Sequence, residues 1–240
     1  MKFQQVHINR KKKWPLHDKE VHLFFSLLPK EVDEKKYISF LDSSEQKRFE
    51  SYKTHGKRAE FLYGRYLMKN LISKYLQLPT EEIQLKIDSF KRPYLSSSEL
   101  EFNLSHSFGG FAFILSKSFK VGIDVEYKNR KLSLEDGKHV FMQGEKESLI
   151  EKAPRAAKTE FLKRWTLKEA IYKAAEQGPK LLFNRFEISF NPLRLRSHSK
   201  YLTSSGWDLG QVSPHADYQL AFAIDNPEEL PISYAYYQIL

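Results

Sequence analysis

Two kinds of apolar pattern run along the chain, and each occurs twice. Apolar runs at about 21–27 and 121–127 have the length of strands. A polar, charged stretch follows each one (43–52 and 143–152) and predicts a solvated helix. After it comes a longer segment, 57–76 and 158–176, whose apolar residues recur every three or four positions, the pattern of an amphipathic helix. β-rich sequence closes each half. In the first it covers Leu85 to Ile87, Glu101 to Leu104 and Phe111 to Leu115; in the second, Phe186 to Phe190 and Tyr218 to Ile224. Residues 191–217 are polar and read as loop.

The halves correspond at a shift of one hundred residues. Glu60-Phe61-Leu62 matches Glu160-Phe161-Leu162, Leu67 matches Leu167, Glu45 matches Glu145, and Val21 to Phe25 lies against Val121 to Val125. The reading is an α+β pseudodimer of two similar α/β halves, each a helix pair packed on a small, mostly antiparallel sheet. The halves span 1–118 and 119–240 and are joined near Ser116 to Lys120. Seams between such units are favoured ligand sites.

Composition narrows the chemistry. The 240 residues contain no cysteine, which excludes disulfides and thiolate catalysis and suits a cytoplasmic address. No run approaches the roughly 18 apolar residues of a membrane helix. Arg10 to Lys13 is not followed by an apolar stretch, so no secretory signal is expected. A net charge of +9 points to anionic partners: nucleic acid, anionic lipid, phosphorylated cofactors or acidic proteins.

Three motifs choose among these. In Gly122-Ile123-Asp124-Val125-Glu126 the strand period of two puts both carboxylates on one face. That suits a solvated strand end, or a cation between the acids, for which Mg²⁺ is the fitting hard ion. Phe161 to Ala175 is built of good helix formers, with Glu169 and Lys173 one turn apart. They form either a surface ion pair or a third metal carboxylate beside a phosphate-binding lysine. Asn103-Leu104-Ser105-His106-Ser107 ends an apolar strand with groups that serve turns or bind phosphate.

Gly-Ile-Asp-Val-Glu followed by Trp165-Thr166-Leu167-Lys168-Glu169-Ala170-Ile171-Tyr172-Lys173 resembles the paired signature of the 4'-phosphopantetheinyl transferases. Asn103 to His106 and Lys91-Arg92-Pro93 match two further elements of that family. The two-halved plan is similar to the surfactin-synthetase-activating branch, whose members are monomeric pseudodimers. The resemblance implies transfer of 4'-phosphopantetheine from coenzyme A to a serine of an apo acyl, peptidyl or aryl carrier protein, releasing adenosine 3',5'-bisphosphate. It implies Mg²⁺, or Mn²⁺ in its place, on Asp124, Glu126 and Glu169, with Glu145 a further acid near the metal. Glu169 or Glu145 takes the serine proton, Lys173 touches the phosphates and Lys168 flanks them. Ser105 and His106 hold phosphate groups, Arg58 contacts the 3'-phosphate, and Lys91, Arg92 and Pro93 line the adenine end. Arg92 stands where the family has lysine, so the nucleotide end is the less regular one. The carrier is expected to be acidic, with neither nucleic acid nor membrane as partner. A Mg²⁺-dependent phosphohydrolase on the same acids is the competing enzyme class.

Overall fold

The computed structural model describes residues 3–7, 14–90, 92–96, 100–131, 134–137 and 139–240. The first half contains β1 (Gln4–Val6), β2 (Glu20–Leu27), α1 (Glu34–Ile38), α2 (Ser43–Ser51) and α3 (His55–Leu76). The short β3 (Lys86–Ile87) and β4 (Pro93–Tyr94) and the hairpin β5 (Glu101–Ser107) and β6 (Gly110–Ser116) follow. The second half continues with β7 (Lys120–Tyr127), α4 (Gln143–Ile150), α5 (Pro154–Ala175), β8 (Phe186–Phe190), β9 (Leu193–Ser197), β10 (Trp207–Val212), β11 (Tyr218–Asp225) and β12 (Ser233–Ile239).

A five-stranded sheet runs β1-β12-β2-β6-β5 and a three-stranded sheet runs β10-β11-β7. The cores β2-β6-β5 and β7-β11-β10 repeat one antiparallel plan. Strand alternation explains how they stack. Val21, Leu23 and Phe25 of β2 share an apolar cluster with Ile123 and Val125 of β7 and Leu220 and Phe222 of β11. The other faces take the long helices. Leu62, Met68 and Leu71 of α3 pack with Phe24 and Phe113, while Ala170 and Ala174 of α5 pack with Ala221 and Ala223.

Local chemistry sets the helix ends. Asp42 caps α2 in a capping box with Glu45, Thr54 caps α3, and Pro154 opens α5 where its missing N–H costs nothing. Gln77 and Glu176 close α3 and α5 in the left-handed conformation, at φ of 57° and 54°.

Three expectations change. The long helices, His55–Leu76 and Pro154–Ala175, have equal length and place equivalent ion pairs (Arg65 and Lys69, Arg164 and Lys168) at a shift of 99, one residue from the hundred at which the helix matches were read. Residues 191–217, read as loop, contain β9 and β10, whose short, half-exposed strands carry too few apolar positions to alternate clearly. The seam at 118/119 falls in the β6–β7 connection, but β12 returns from the second half to lie parallel between β1 and β2.

Candidate functional site

The site forms where β5 meets β7. These strands share no backbone ladder. Side chains of β5 replace it: the amides of Ile123, Val125 and Tyr127 donate to Asn103 Oδ1 (3.0 Å), Ser105 Oγ (3.4 Å) and Ser107 Oγ (3.4 Å). Alternation along Asn-Leu-Ser-His-Ser thus turns residues 103, 105 and 107 toward β7, while Leu104 and His106 line a cavity on the α3 side. The same serines hold the acids. Ser105 Oγ donates to Asp124 Oδ1 at 2.8 Å and Ser107 Oγ to Glu126 Oε2 at 2.8 Å.

On its other side β7 presses against α5. A Cβ on Gly122 would lie 2.0 Å from the Ala170 carbonyl oxygen, so only glycine fits. This approach lets Lys173 Nζ donate to the Ile123 carbonyl (3.0 Å) and Asp124 Oδ1 (2.7 Å). Arg130 donates to Glu126 Oε1, and its guanidinium lies 5.9 Å from the Trp165 ring centroid. Asp124 Oδ2 is buried with no hydrogen-bond partner. Among the described residues no three His, Cys, Asp or Glu side chains are gathered as a metal centre; Lys173 and Arg130 sit on Asp124 and Glu126. Burial lifts the Glu126 carboxyl above its ordinary pKa, and repulsion from Asp124 adds to this. Glu169, half-buried on α5, is raised by burial too, with Asp124 and Glu126 adding and Lys173 opposing.

The neighbouring cavity, about 360 Å³, is predominantly basic: Arg48, Lys57, Arg65 and His106 line it with one acid, Glu60, and with Tyr52 and Phe61. His106 is solvent-exposed at its edge and stacks on Phe111 at 5.4 Å. Desolvation lowers its pKa; Glu60 opposes, and Lys173, Arg48 and Arg65 add to the lowering.

The structure brings Asp124, Glu126 and Lys173 together with Ser105 and Ser107, and places His106 and Pro93 on the cationic cavity. Several expected residues sit elsewhere. Ser105 does not face that cavity; its hydroxyl is committed to Asp124. Arg58 turns away, pairing with Glu34 at 3.2 Å and stacking on Phe49 at 4.3 Å. Arg92 fastens the end of α5, donating to the Lys173 carbonyl and to Glu176, each at 2.6 Å, and lines a separate cavity of about 330 Å³. Lys91 lies outside the described residues.

Glu145 and Lys168 belong to a different network. Glu145 accepts from the Met142 amide (2.9 Å), the Ile188 amide (3.1 Å) and Arg164 (3.4 Å), and forms an ion pair with Lys168 at 2.7 Å. The Lys168 ammonium is fully enclosed and also donates to the carbonyls of Val140, Phe183 and Phe186. Neither side chain reaches a ligand at the seam without abandoning these bonds. The first half holds the same network: Glu45 accepts from the Asp42 amide (3.1 Å) and Lys69 (2.9 Å) and forms an ion pair with Arg65 (3.2 Å), and Lys69 donates to the Phe40 carbonyl (2.6 Å). Arg65, Lys57 and Arg130 escaped the sequence reading. Only the repeat at a shift of 99, which pairs Arg65 with Arg164 and Lys69 with Lys168, could have singled out the first.

Residues 120–223 match the family profile described as 4'-phosphopantetheinyl transferase superfamily, and residues 26–119 match 4'-phosphopantetheinyl transferase, N-terminal. The chain is 28% identical to the 4'-phosphopantetheinyl transferase HetI of Nostoc sp., over 85% of its own length and 87% of that protein. It is 22% identical to the 4'-phosphopantetheinyl transferase Sfp of Bacillus subtilis, over 82% and 93%. The AcpT transferase of Salmonella typhimurium is 32% identical over 49% of this chain and 58% of its own. Among solved structures, the holo-[acyl-carrier-protein] synthase of Thermotoga maritima covers 44% of this chain and 62% of its own at 22% identity, with a TM-score of 0.36, a likeness too loose to argue from.

Proposed function

Since the chain belongs to the 4'-phosphopantetheinyl transferase superfamily, its two halves matching the two parts of that family in order, we propose that it moves the 4'-phosphopantetheine of coenzyme A onto a serine of an apo carrier protein. One observation carries the reading: a buried carboxylate pair on β7, gripped by Lys173 from α5, is separated by the single strand β5 from a cavity lined by Arg48, Lys57, Arg65 and His106 with Glu60. Such a site pairs a place for phosphates with a place for proton and charge control.

The acids suit a hard divalent ion. Asp124 Oδ2 has no partner in the fold, and burial keeps Glu126 and Glu169 reluctant to ionise without added positive charge. Asp124, Glu126 and Glu169 are the side chains to hold Mg²⁺, or Mn²⁺ in its place, which would neutralise pyrophosphate charge as a Lewis acid. Arg130 and Lys173, which now sit on two of these acids, are the groups that must yield.

The chain's own residues supply the rest. Arg48, Lys57, Arg65 and His106 support binding of the nucleotide phosphates, and a phosphate beside His106 favours its protonated form. Lys173, released from Asp124, would meet charge that develops on the leaving bisphosphate. Glu169 is the better candidate to take the serine proton. It remains partly open, whereas Glu145 is sealed under Lys168 and Arg164. The charge of +9 would steer an acidic carrier, which ionic strength tests through the carrier KM. Among the described residues no helix is long and apolar enough to cross a membrane.

The test is intact-mass spectrometry of apo carrier proteins incubated with the enzyme, coenzyme A and Mg²⁺. The expected result is one phosphopantetheine added to a serine, with adenosine 3',5'-bisphosphate released. Cleaved coenzyme A beside unmodified carrier would establish the phosphohydrolase instead.

A further inference from the structure

The turn between β5 and β6 is built against local preference. Ser107 pairs with Gly110, so Phe108 and Gly109 are its two central residues, at φ of 47° and 79°. Positive φ at both positions is the mirror-type hairpin turn, for which Asn-Gly is the favoured sequence. A phenylalanine there crowds its Cβ against its own backbone. The side chain recovers little in exchange, for 66% of Phe108 stays exposed, the largest such fraction for an aromatic among the described residues. Among the described residues its ring contact is with Tyr127, at 5.5 Å.

The turn is also firmly held. Tyr218 Oη donates to the Phe108 carbonyl (2.6 Å), Gly109 N–H donates to Glu60 (3.0 Å), and the Gly109 carbonyl accepts from the Leu28 amide (2.7 Å). A residue that costs the fold twice, in backbone strain and in exposed apolar surface, is presented rigidly by three neighbouring elements. Such outliers gather at working surfaces. Phe108 follows Ser107, which holds Glu126, and its ring rests on Tyr127, which follows Glu126. It therefore stands at the outer end of the acid row, while Glu60, which holds the turn, lines the basic cavity on the α3 side with Leu104 and His106.

On these grounds we infer that the Phe108 ring is an apolar anchor on which the carrier protein docks, an inference that rests on the transferase reading above. The attacking hydroxyl projects from a folded protein surface. Whatever apolar side chains surround that serine must close over this rim when the hydroxyl reaches the acids. A single exposed aromatic in a pre-set position suits such a contact, because little freedom is lost when it is covered.

Phe108→Asn separates the two halves of the idea. Asparagine suits the left-handed conformation, so Tm should rise by about 2–4 °C. The carrier KM should rise about tenfold or more while kcat and the coenzyme A KM stay within about twofold, a split that points to macromolecular docking. Phe108→Leu, which keeps an apolar body, should hold the carrier KM within about threefold of wild type. An unchanged carrier KM in Phe108→Asn overturns the inference. So does a raised coenzyme A KM, which would make the pantetheine arm the occupant, and so does a lowered Tm, which would make Phe108 a packing residue. Concentration-dependent dimers of the wild type, lost in Phe108→Asn on gel filtration, would assign the ring to a second copy of this chain and overturn it too. Wild-type protein that modifies no carrier removes the transferase reading and this inference together; normal wild-type transfer matched by Phe108→Asn removes the inference alone.

Discussion

The two halves share a framework and differ in what they do with it. Glu45, Arg65 and Lys69 knit α2 to α3, and Glu145, Arg164 and Lys168 knit α4 to α5 in the same way. Beyond that network the halves diverge. Phe24 and Ser26 stand where the second half has Asp124 and Glu126, and Asn70 stands where it has Glu169. His22, bonded to Tyr75 at 2.6 Å, is replaced by Gly122 and Ala174, which allow β7 to close on α5. Conversely, Arg164 is roofed by the Ile188 carbonyl and the Phe190 ring, while Arg65 faces the open cationic cavity. The shared network builds the fold, with Arg65 turned to the cavity as well; the residues that differ build the acid side of the site. Glu145 and Lys168, although they lie in or near the signature motif, fall on the side of the fold.

Glu169→Gln should give the largest effect, because it makes the second half resemble the first at Asn70. Loss of a positioned proton acceptor lowers kcat by about 10²–10⁴-fold. Removing a half-buried acid whose pKa is raised should leave Tm unchanged or higher. Transfer within about twofold of wild type would break the comparison.

Next come the two networks. Removing one partner of a buried pair costs about 3–5 kcal/mol, so Glu45→Ala and Glu145→Ala should shift urea midpoints by similar amounts. If Glu145→Ala kept wild-type stability but abolished transfer, Glu145 would be catalytic and the division between shared and unshared residues would fail.

Arg65→Met and Arg164→Met sharpen the division within the shared set. Both should lower stability. Calorimetric titration of the folded proteins with coenzyme A should show Kd raised by about tenfold to a hundredfold for Arg65→Met only, the magnitude of a charged hydrogen bond.

The smallest effect is in pH. Carboxyls with raised pKa favour the protonated fold, so their contribution to stability is present in acid and is lost as pH rises through the raised values. Mg²⁺ relieves that loss only where the acids are ionised. Its effect on Tm should therefore be slight below about pH 4, under the ordinary glutamate range, and reach a few degrees near about pH 8. Equal gains at both would count against the acids as its ligands.

Much of this was legible in the sequence. The long helices and the facing of Asp124 and Glu126 follow from the helix and strand periods, and the repeat from matched residues such as Glu60-Phe61-Leu62 and Glu160-Phe161-Leu162. Asn103 to Ser107 was legible as a motif but not as a seam, because nothing local announces that its side chains replace a backbone ladder to β7. β12 was missed because its place depends on a partner some two hundred residues away, and the strand itself is half-exposed. Arg58 and Arg92 were misplaced for a related reason. A basic residue near a predicted phosphate site looks the same in sequence whether it faces the site, stacks on Phe49 or holds the end of a helix.

The most direct measurement of the central claim is phosphopantetheine transfer by Asp124→Ala, followed by intact mass of the carrier and paired with thermal unfolding of the variant. A single site on the second-half acids predicts a folded protein that produces no detectable holo carrier with Mg²⁺ and coenzyme A at saturation. Transfer at the wild-type rate by that variant would contradict it.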